Sequence, residues 1–158
     1  MSNKICAKKI KIYFELLIIK KCDINRIMKT INLLILEDDI KTLSVLLDYI
    51  AKLEDDLSLE ADIDITIFSN YKQVENVVNK QEANTYDIIL LDRDCKMCGS
   101  FHILDIEKFG PENIISISST PQWNAEAQER GVQKIILKDF SNLDSLGQRV
   151  IEEIKQMI

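Results

Sequence analysis

At 158 residues, with 46% hydrophobic and 29% charged side chains, the chain has the length and balance of one globular domain with a sizeable core, which excludes a disordered or fibrous polypeptide. A formal charge of −6 and a pI near 4.9 exclude a general nucleic-acid binder, which needs a basic stripe to replace counterions on phosphates. A protein or a small ion is the better-matched partner. The longest apolar stretch near the N-terminus, residues 12–19, contains Glu15 and is flanked by lysines, short of the ~20 apolar residues of a membrane helix. Four cysteines, Cys6, Cys22, Cys95 and Cys98, come without a secretory signal of ordinary layout, so a cytoplasmic chain with reduced thiols is expected.

Residues 1–30 hold eight Lys and Arg against two acids, leaving 12 basic and 24 acidic residues to the other 128. They read as an N-terminal extension ahead of a domain over 31–158. A basic arm for a membrane surface or an acidic partner is one reading. An over-extended frame starting in truth at Met28, or a loosely attached tail, is favoured over it.

From Ile31 onward, apolar runs of strand length alternate with segments of helical period, the pattern of a parallel sheet covered by helices on both faces. The first strand is expected at 31–37. Ile40, Leu43, Leu47, Ile50 and Ala51 then recur at spacings of three and four, which predicts an amphipathic helix. A second strand follows at 64–69, and Val74, Val77 and Val78 mark a short second helix. The third strand, 86–92, leads to a third helix over 101–109, and the fourth, 113–119, to a helix over 121–130 that stops at Gly131. The fifth strand, 132–138, precedes a last helix from Asn142 with Leu143, Leu146, Val150, Ile151 and Ile154 on one face, its start marked by capping-box spacing from Ser141 to Asp144.

Ligands of such sheets bind at the carboxyl ends of the strands. There the chain places Glu37-Asp38-Asp39, Asp92-Arg93-Asp94, Ser118-Ser119-Thr120 and Lys138-Asp139. Carboxylates gathered at one edge repel unless a cation or proton neutralises them, and a hard divalent ion such as magnesium, with oxygen ligands and retained waters, suits them. A phosphoryl group would then meet the metal on one side and the Lys138 ammonium on the other, with Asp92 as the attacking carboxylate. Singly, each residue has a plainer use as a cap, a turn residue or a solvated charge; the joint order acid pair, acid, hydroxyl, lysine raises the functional reading.

Over about 31–158 the sequence resembles the receiver domains of two-component response regulators (the CheY-like superfamily). LLILEDD resembles the family's first strand and acidic pair, DIILLD the strand ending in the phosphoacceptor, ISISS the fourth strand, and GVQKIILKDF the fifth, with Gly131 seven residues before Lys138. The resemblance implies an α/β fold of three layers, a doubly wound five-stranded parallel sheet in flavodoxin-like order 2-1-3-4-5. It implies Asp92 as phosphoacceptor, Glu37, Asp38, Asp92 and the backbone carbonyl of Asp94 as ligands of Mg2+, Ser118 as the switch hydroxyl and Lys138 as the conserved-type lysine of the site. It further implies a stand-alone signalling domain, not an enzyme, served by a histidine kinase or phosphotransfer protein and acting on a target, or on a second copy in a homodimer, through the face of helix four, strand five and helix five.

The chain departs from that family at three places. Asp139 stands where a proline joined by a cis bond is usual; since a cis bond before a non-proline costs about 3 kcal/mol, a trans bond is expected. Ile135 replaces an aromatic that moves with the switch hydroxyl, and the loop after Asp92 lacks the usual proline, with Gly99 one residue early. Cys95 and Cys98 in that loop form a lone C-x-x-C, read as two loop thiols rather than a redox pair or half a zinc site. His102 is expected as a packing or surface residue and Trp123 as a half-buried residue or partner contact. The rival readings are a phosphatase similar to the haloacid dehalogenases, with Asp92 as nucleophile and Asp94 as acid-base catalyst, and a degenerate receiver that binds without accepting phosphate. Against the phosphatase, the threonine after D-x-D is absent and Glu37-Asp38 would be unexplained.

Overall fold

Alternation within the first apolar run decides the layering. A computed structural model describes residues 29–56, 61–94 and 101–158. The first strand, β1 (Lys29–Leu36), sends Ile31, Leu33 and Ile35 into one apolar cluster and Leu34 and Leu36 into another on the opposite face. Successive side chains of a strand point to opposite faces, so a continuous apolar run serves a strand buried on both.

The other strands are β2 (Ala61–Phe68), β3 (Ile88–Asp92), β4 (Ile114–Ser118) and β5 (Lys134–Leu137). All pair in parallel in the order β2-β1-β3-β4-β5, the doubly wound arrangement expected above. Each strand lies within a few residues of its expected place. Helices α1 (Ile40–Glu54) and α5 (Leu143–Met157) cover one face, burying Leu46, Ile50 and Leu53 with Leu146, Val150 and Ile154 against Ile35, Leu90, Ile117 and Ile136. On the other face lie α2 (Tyr71–Asn76), α3 (Ile106–Phe109) and α4 (Pro121–Glu129), where Val74, Phe109 and Ala127 meet Leu36, Ile89, Leu91 and Ile114. Each fully buried Leu, Ile or Phe contributes about 1.5–3 kcal/mol by leaving water.

Local chemistry sets the helix ends. Asp39 caps α1, its carboxylate accepting from the Thr42 N–H at 2.9 Å. Pro121 occupies the first turn of α4, and Gly131, just beyond its end, takes a φ of 95° that favours glycine. Two expectations need correction. The third helix is not continuous over 101–109: a 3-10 turn at Phe101–Ile103 is followed by the single turn α3, because Asp105 restarts the helix by accepting from Lys108 N–H at 3.1 Å. The cap of α5 is Asn142, whose side chain accepts from Ser145 N–H at 3.1 Å, and not Ser141. Ser141 is engaged by Asp139 instead, giving its N–H at 2.8 Å and its hydroxyl at 2.7 Å to the carboxylate.

No described helix is long and apolar enough to cross a membrane. Residues 1–28 of the N-terminal extension, Met28 among them, lie outside the described residues with the four cysteines and Gly99, while its last two, Lys29 and Thr30, open β1.

Candidate functional site

Strand parity selects three residues. Glu37 continues the alternation of Ile35, Asp92 that of Ile88 and Leu90, and Lys138 that of Ile136, so all three point to the α1/α5 side, where they are buried. The Lys138 ammonium donates to Glu37 Oε2 at 2.9 Å and to Asp92 Oδ1 at 2.8 Å, with lysine and both acids at most 2% exposed. Hydrogen-bonded charges of this kind persist in an interior only when paired.

One ammonium does not neutralise two buried carboxylates. Burial first, and then the charge of Glu37, pushes the Asp92 carboxyl up to about 8, with Lys138 pulling against them. Burial also raises Glu37, again against Lys138. For Lys138, burial acts to lower the pKa, but the charges of Asp92 and Glu37 outweigh it and the group is raised. The balance among these three side chains lacks positive charge.

Asp38 stands beside them, half-buried, and oxygen atoms of Glu37, Asp38 and Asp92 all lie within 4.8 Å of one another. Asp92 Oδ2 is buried with no hydrogen-bond partner. Three carboxylates, no nitrogen or sulfur donor among them, and an orphaned buried oxygen fit a hard divalent cation. Asp39 does not join this set through its cap, since its Oδ1 is taken by Thr42; its N–H donates to Glu37 Oε1 at 2.8 Å and holds that carboxylate in place.

Asp94 is used in a way that was not foreseen. The resemblance reserves its backbone carbonyl for metal, whereas the structure engages its carboxylate: Oδ1 accepts from the Ser118 hydroxyl at 2.7 Å and from the Ser119 N–H at 2.8 Å. Asp94 Oδ2 lies 3.7 Å from Lys138 Nζ. Ser118 also accepts the Thr120 N–H at 3.0 Å, so its oxygen both donates and accepts. Ser118 and Asp94 are thus brought together with Lys138, on the side of the site away from Asp38.

Arg93 was not foreseen either. It follows the parity of Ile89 and Leu91, points under α4 and has no exposed side-chain surface. Its guanidinium donates from Nη2 to Glu126 Oε2 at 2.9 Å and to His102 Nδ1 at 3.2 Å. Since arginine cannot accept, Nδ1 must, and the His102 Nε2–H donates to the Arg93 carbonyl at 2.8 Å, which fixes the ring tautomer. Trp123 meets His102 edge to face at 5.5 Å, so both are packing residues of one cluster. The signal for Arg93 was present in the alternation of the third strand, masked by the habit of reading a charge after a strand as solvated.

Ile135, the residue in place of an aromatic, packs half-buried on the α2–α4 face. Among the described residues no peptide bond is cis, so Lys138–Asp139 is trans as expected.

Comparison with solved structures places this architecture. The Mn(2+)-bound form of response regulator Rcp1 superposes with a TM-score of 0.56 at 14% identity over 75% of this chain and 90% of that one. The chain has the receiver fold. The bacteriophytochrome response regulator AtBRR matches that fold with a TM-score of 0.53 and 15% identity over 82% and 93% of the two chains. HP1043, an orphan response regulator of H. pylori, gives 0.51 and 13% over 78% and 96%. No protein-family model and no curated protein matches the sequence. In this receiver fold, Glu37, Asp38 and Asp92 sit together as a candidate divalent-metal site at the C-terminal edge of the sheet, where ligands of doubly wound sheets bind.

Proposed function

We propose that the chain is a response-regulator receiver, spanning about residues 31–158, that accepts a phosphoryl group on Asp92 with magnesium bound by Glu37, Asp38, Asp92 and the Asp94 carbonyl. The observation that carries this reading is Lys138 bridging Glu37 and Asp92 beside an Asp92 oxygen with no hydrogen-bond partner. A buried carboxylate oxygen without a partner is rare in a purely structural role, and here it lies beside the acidic cluster and an ammonium able to meet an incoming negative charge.

The donor on this reading is a phosphohistidine of a kinase or phosphotransfer protein. Asp92 attacks the phosphorus in line; a P–O bond to the carboxylate forms, the P–N bond breaks, and its electron pair departs with the imidazole nitrogen. Lys138, already 2.8 Å from Asp92 Oδ1, neutralises charge on the transferring group, and Glu37 keeps the ammonium aimed there. A bound magnesium ion would supply the remaining charge neutralisation.

Output through protein contacts on the face of α4, β5 and α5 is supported by Leu137 of β5, an apolar side chain left 49% exposed there.

The test is incubation with acetyl phosphate and Mg2+, followed by intact-mass measurement. A single acid-labile phosphoryl adduct is expected on wild type and none on Asp92→Asn. An adduct that persists in Asp92→Asn would sink the assignment, and rapid multiple-turnover phosphate release abolished by Asp94→Asn would establish the phosphatase in its place.

A further inference from the structure

The groups that would hold a phosphoryl group on Asp92 are not idle in this molecule. A dianionic phosphoryl group needs hydrogen-bond donors and positive charge on the side opposite the metal ligands. The described residues at that place offer three: the Ser118 hydroxyl, the Ser119 N–H and the Lys138 ammonium. The first two are directed at a single carboxylate, that of Asp94, at 2.7 and 2.8 Å, and the ammonium, which donates to Glu37 and Asp92, stands 3.7 Å from that same carboxylate.

We infer that the Asp94 carboxylate is a built-in occupant of the phosphoryl cradle, holding Ser118 and Ser119 in the anion-bound arrangement and competing with phosphorylation of Asp92. The inference rests on the phosphoacceptor reading and goes beyond it, because it assigns the side chain of residue 94 a regulatory role separate from any metal contact of its carbonyl.

Three observations carry it. Asp94 is drawn inward, with only 13% of its side chain exposed, although an aspartate after a strand has water within easy reach. Its Oδ2 is buried and makes no hydrogen bond, which a side chain serving only to tie a turn would avoid by rotating outward. The backbone also limits how far the carboxylate can withdraw, since Asp94 N–H donates to Asp92 Oδ1 at 3.2 Å and fixes residue 94 directly beside the acceptor. The occupant is therefore tethered at high effective concentration and never diffuses away.

The consequence is a receiver whose hydroxyl is turned inward before any phosphate arrives. Phosphoryl transfer then requires the Asp94 side chain to swing out, which makes the unmodified and modified states more alike around Ser118 than a vacant cradle would allow.

Initial labelling rates by acetyl phosphate and Mg2+ test this in wild type, Asp94→Ala and Asp94→Asn, with Asp92→Asn as the blank. Asp94→Ala should label about tenfold faster than wild type or more, the factor expected from removing one charged, hydrogen-bonded competitor. Asp94→Asn, which keeps the volume and loses the charge, should also exceed wild type and serves as the deciding variant if Asp94→Ala does not fold. Labelling of both variants at or below the wild-type rate, with wild type labelled on Asp92, overturns the occupant while leaving the acceptor. No adduct on wild type or either variant overturns both.

Discussion

The two faces of the sheet meet at its C-terminal edge and are finished there with different chemistry. On the α1/α5 side, Glu37, Asp92 and Lys138 form a buried ionic triad with every charge within 3 Å of an opposite one and with a negative excess that suits a cation. On the α4 side, the strand ends carry neutral groups or a charge matched by its opposite: Ser116 donates to Asn124 at 2.8 Å, Asn124 donates to the Ile136 carbonyl at 3.1 Å, and Arg93 is neutralised by Glu126. The triad is built to take up a charge, and the α4 side to hold a helix in one place. Asp94 spans the two, reaching from the end of β3 to Ser118 and Ser119.

If that division is right, the largest loss comes from unbalancing the triad. Lys138→Met leaves two buried carboxylates without their shared ammonium, and should destabilise the chain by about 3–5 kcal/mol in chemical denaturation without divalent metal. Adding Mg2+ or Mn2+ should return part of that loss, by about 2.7 kcal/mol at a hundred times the dissociation constant. A small loss, or one that metal does not reduce, would contradict the reading of Glu37, Asp38 and Asp92 as a cation site.

On the α4 side, Ser116→Ala removes one neutral hydrogen bond and leaves Asn124 Oδ1 buried without its donor, so about 1–2 kcal/mol is expected from the same measurement, independent of metal. A metal-dependent response would mean that the two sides are coupled more tightly than their geometry indicates.

The smallest effect concerns the exposed margin of the α4 side, where Arg130 donates to Glu107 at 2.7 Å. That hydrogen bond lowers the Glu107 carboxyl from 4.5 to about 2. A lowered folded-state pKa stabilises above the unfolded value and ceases to do so as the proton binds, so this contribution is present above pH about 4.5 and lost as pH falls toward about 2. Because the pair is solvated the effect is slight. Glu107→Gln should flatten that part of the acid melting profile and lower the melting point slightly and uniformly through the neutral range; a steeper profile would show that the pair is not its source.

The triad was legible because strand parity carries its information through the sequence. Once Ile35, Leu90 and Ile136 are assigned to one face, Glu37, Asp92 and Lys138 follow two residues later, and their convergence needs only the strand order. Asp94 and Arg93 were less legible for different reasons. Which part of Asp94 enters the site depends on a side-chain rotation after the strand has ended, and no spacing encodes that. Arg93 was encoded by parity but contradicted by its charge, and partners such as His102 and Glu126, 9 and 33 positions away in the sequence, make its burial tolerable. The third helix and the cap of α5 failed at a finer grain, where Asp105 and Asp139 compete for backbone and hydroxyl donors that periodicity does not see.

Trp123 is the sole tryptophan of the chain, and its ring meets the edge of His102, which in turn grips both ends of Arg93. The residue after Asp92 is therefore wired through one imidazole to the chromophore of α4. Intrinsic emission becomes a label-free gauge of the joint between β3 and α4, read from a single site, and a displacement of either element is visible as a change in how the indole is quenched.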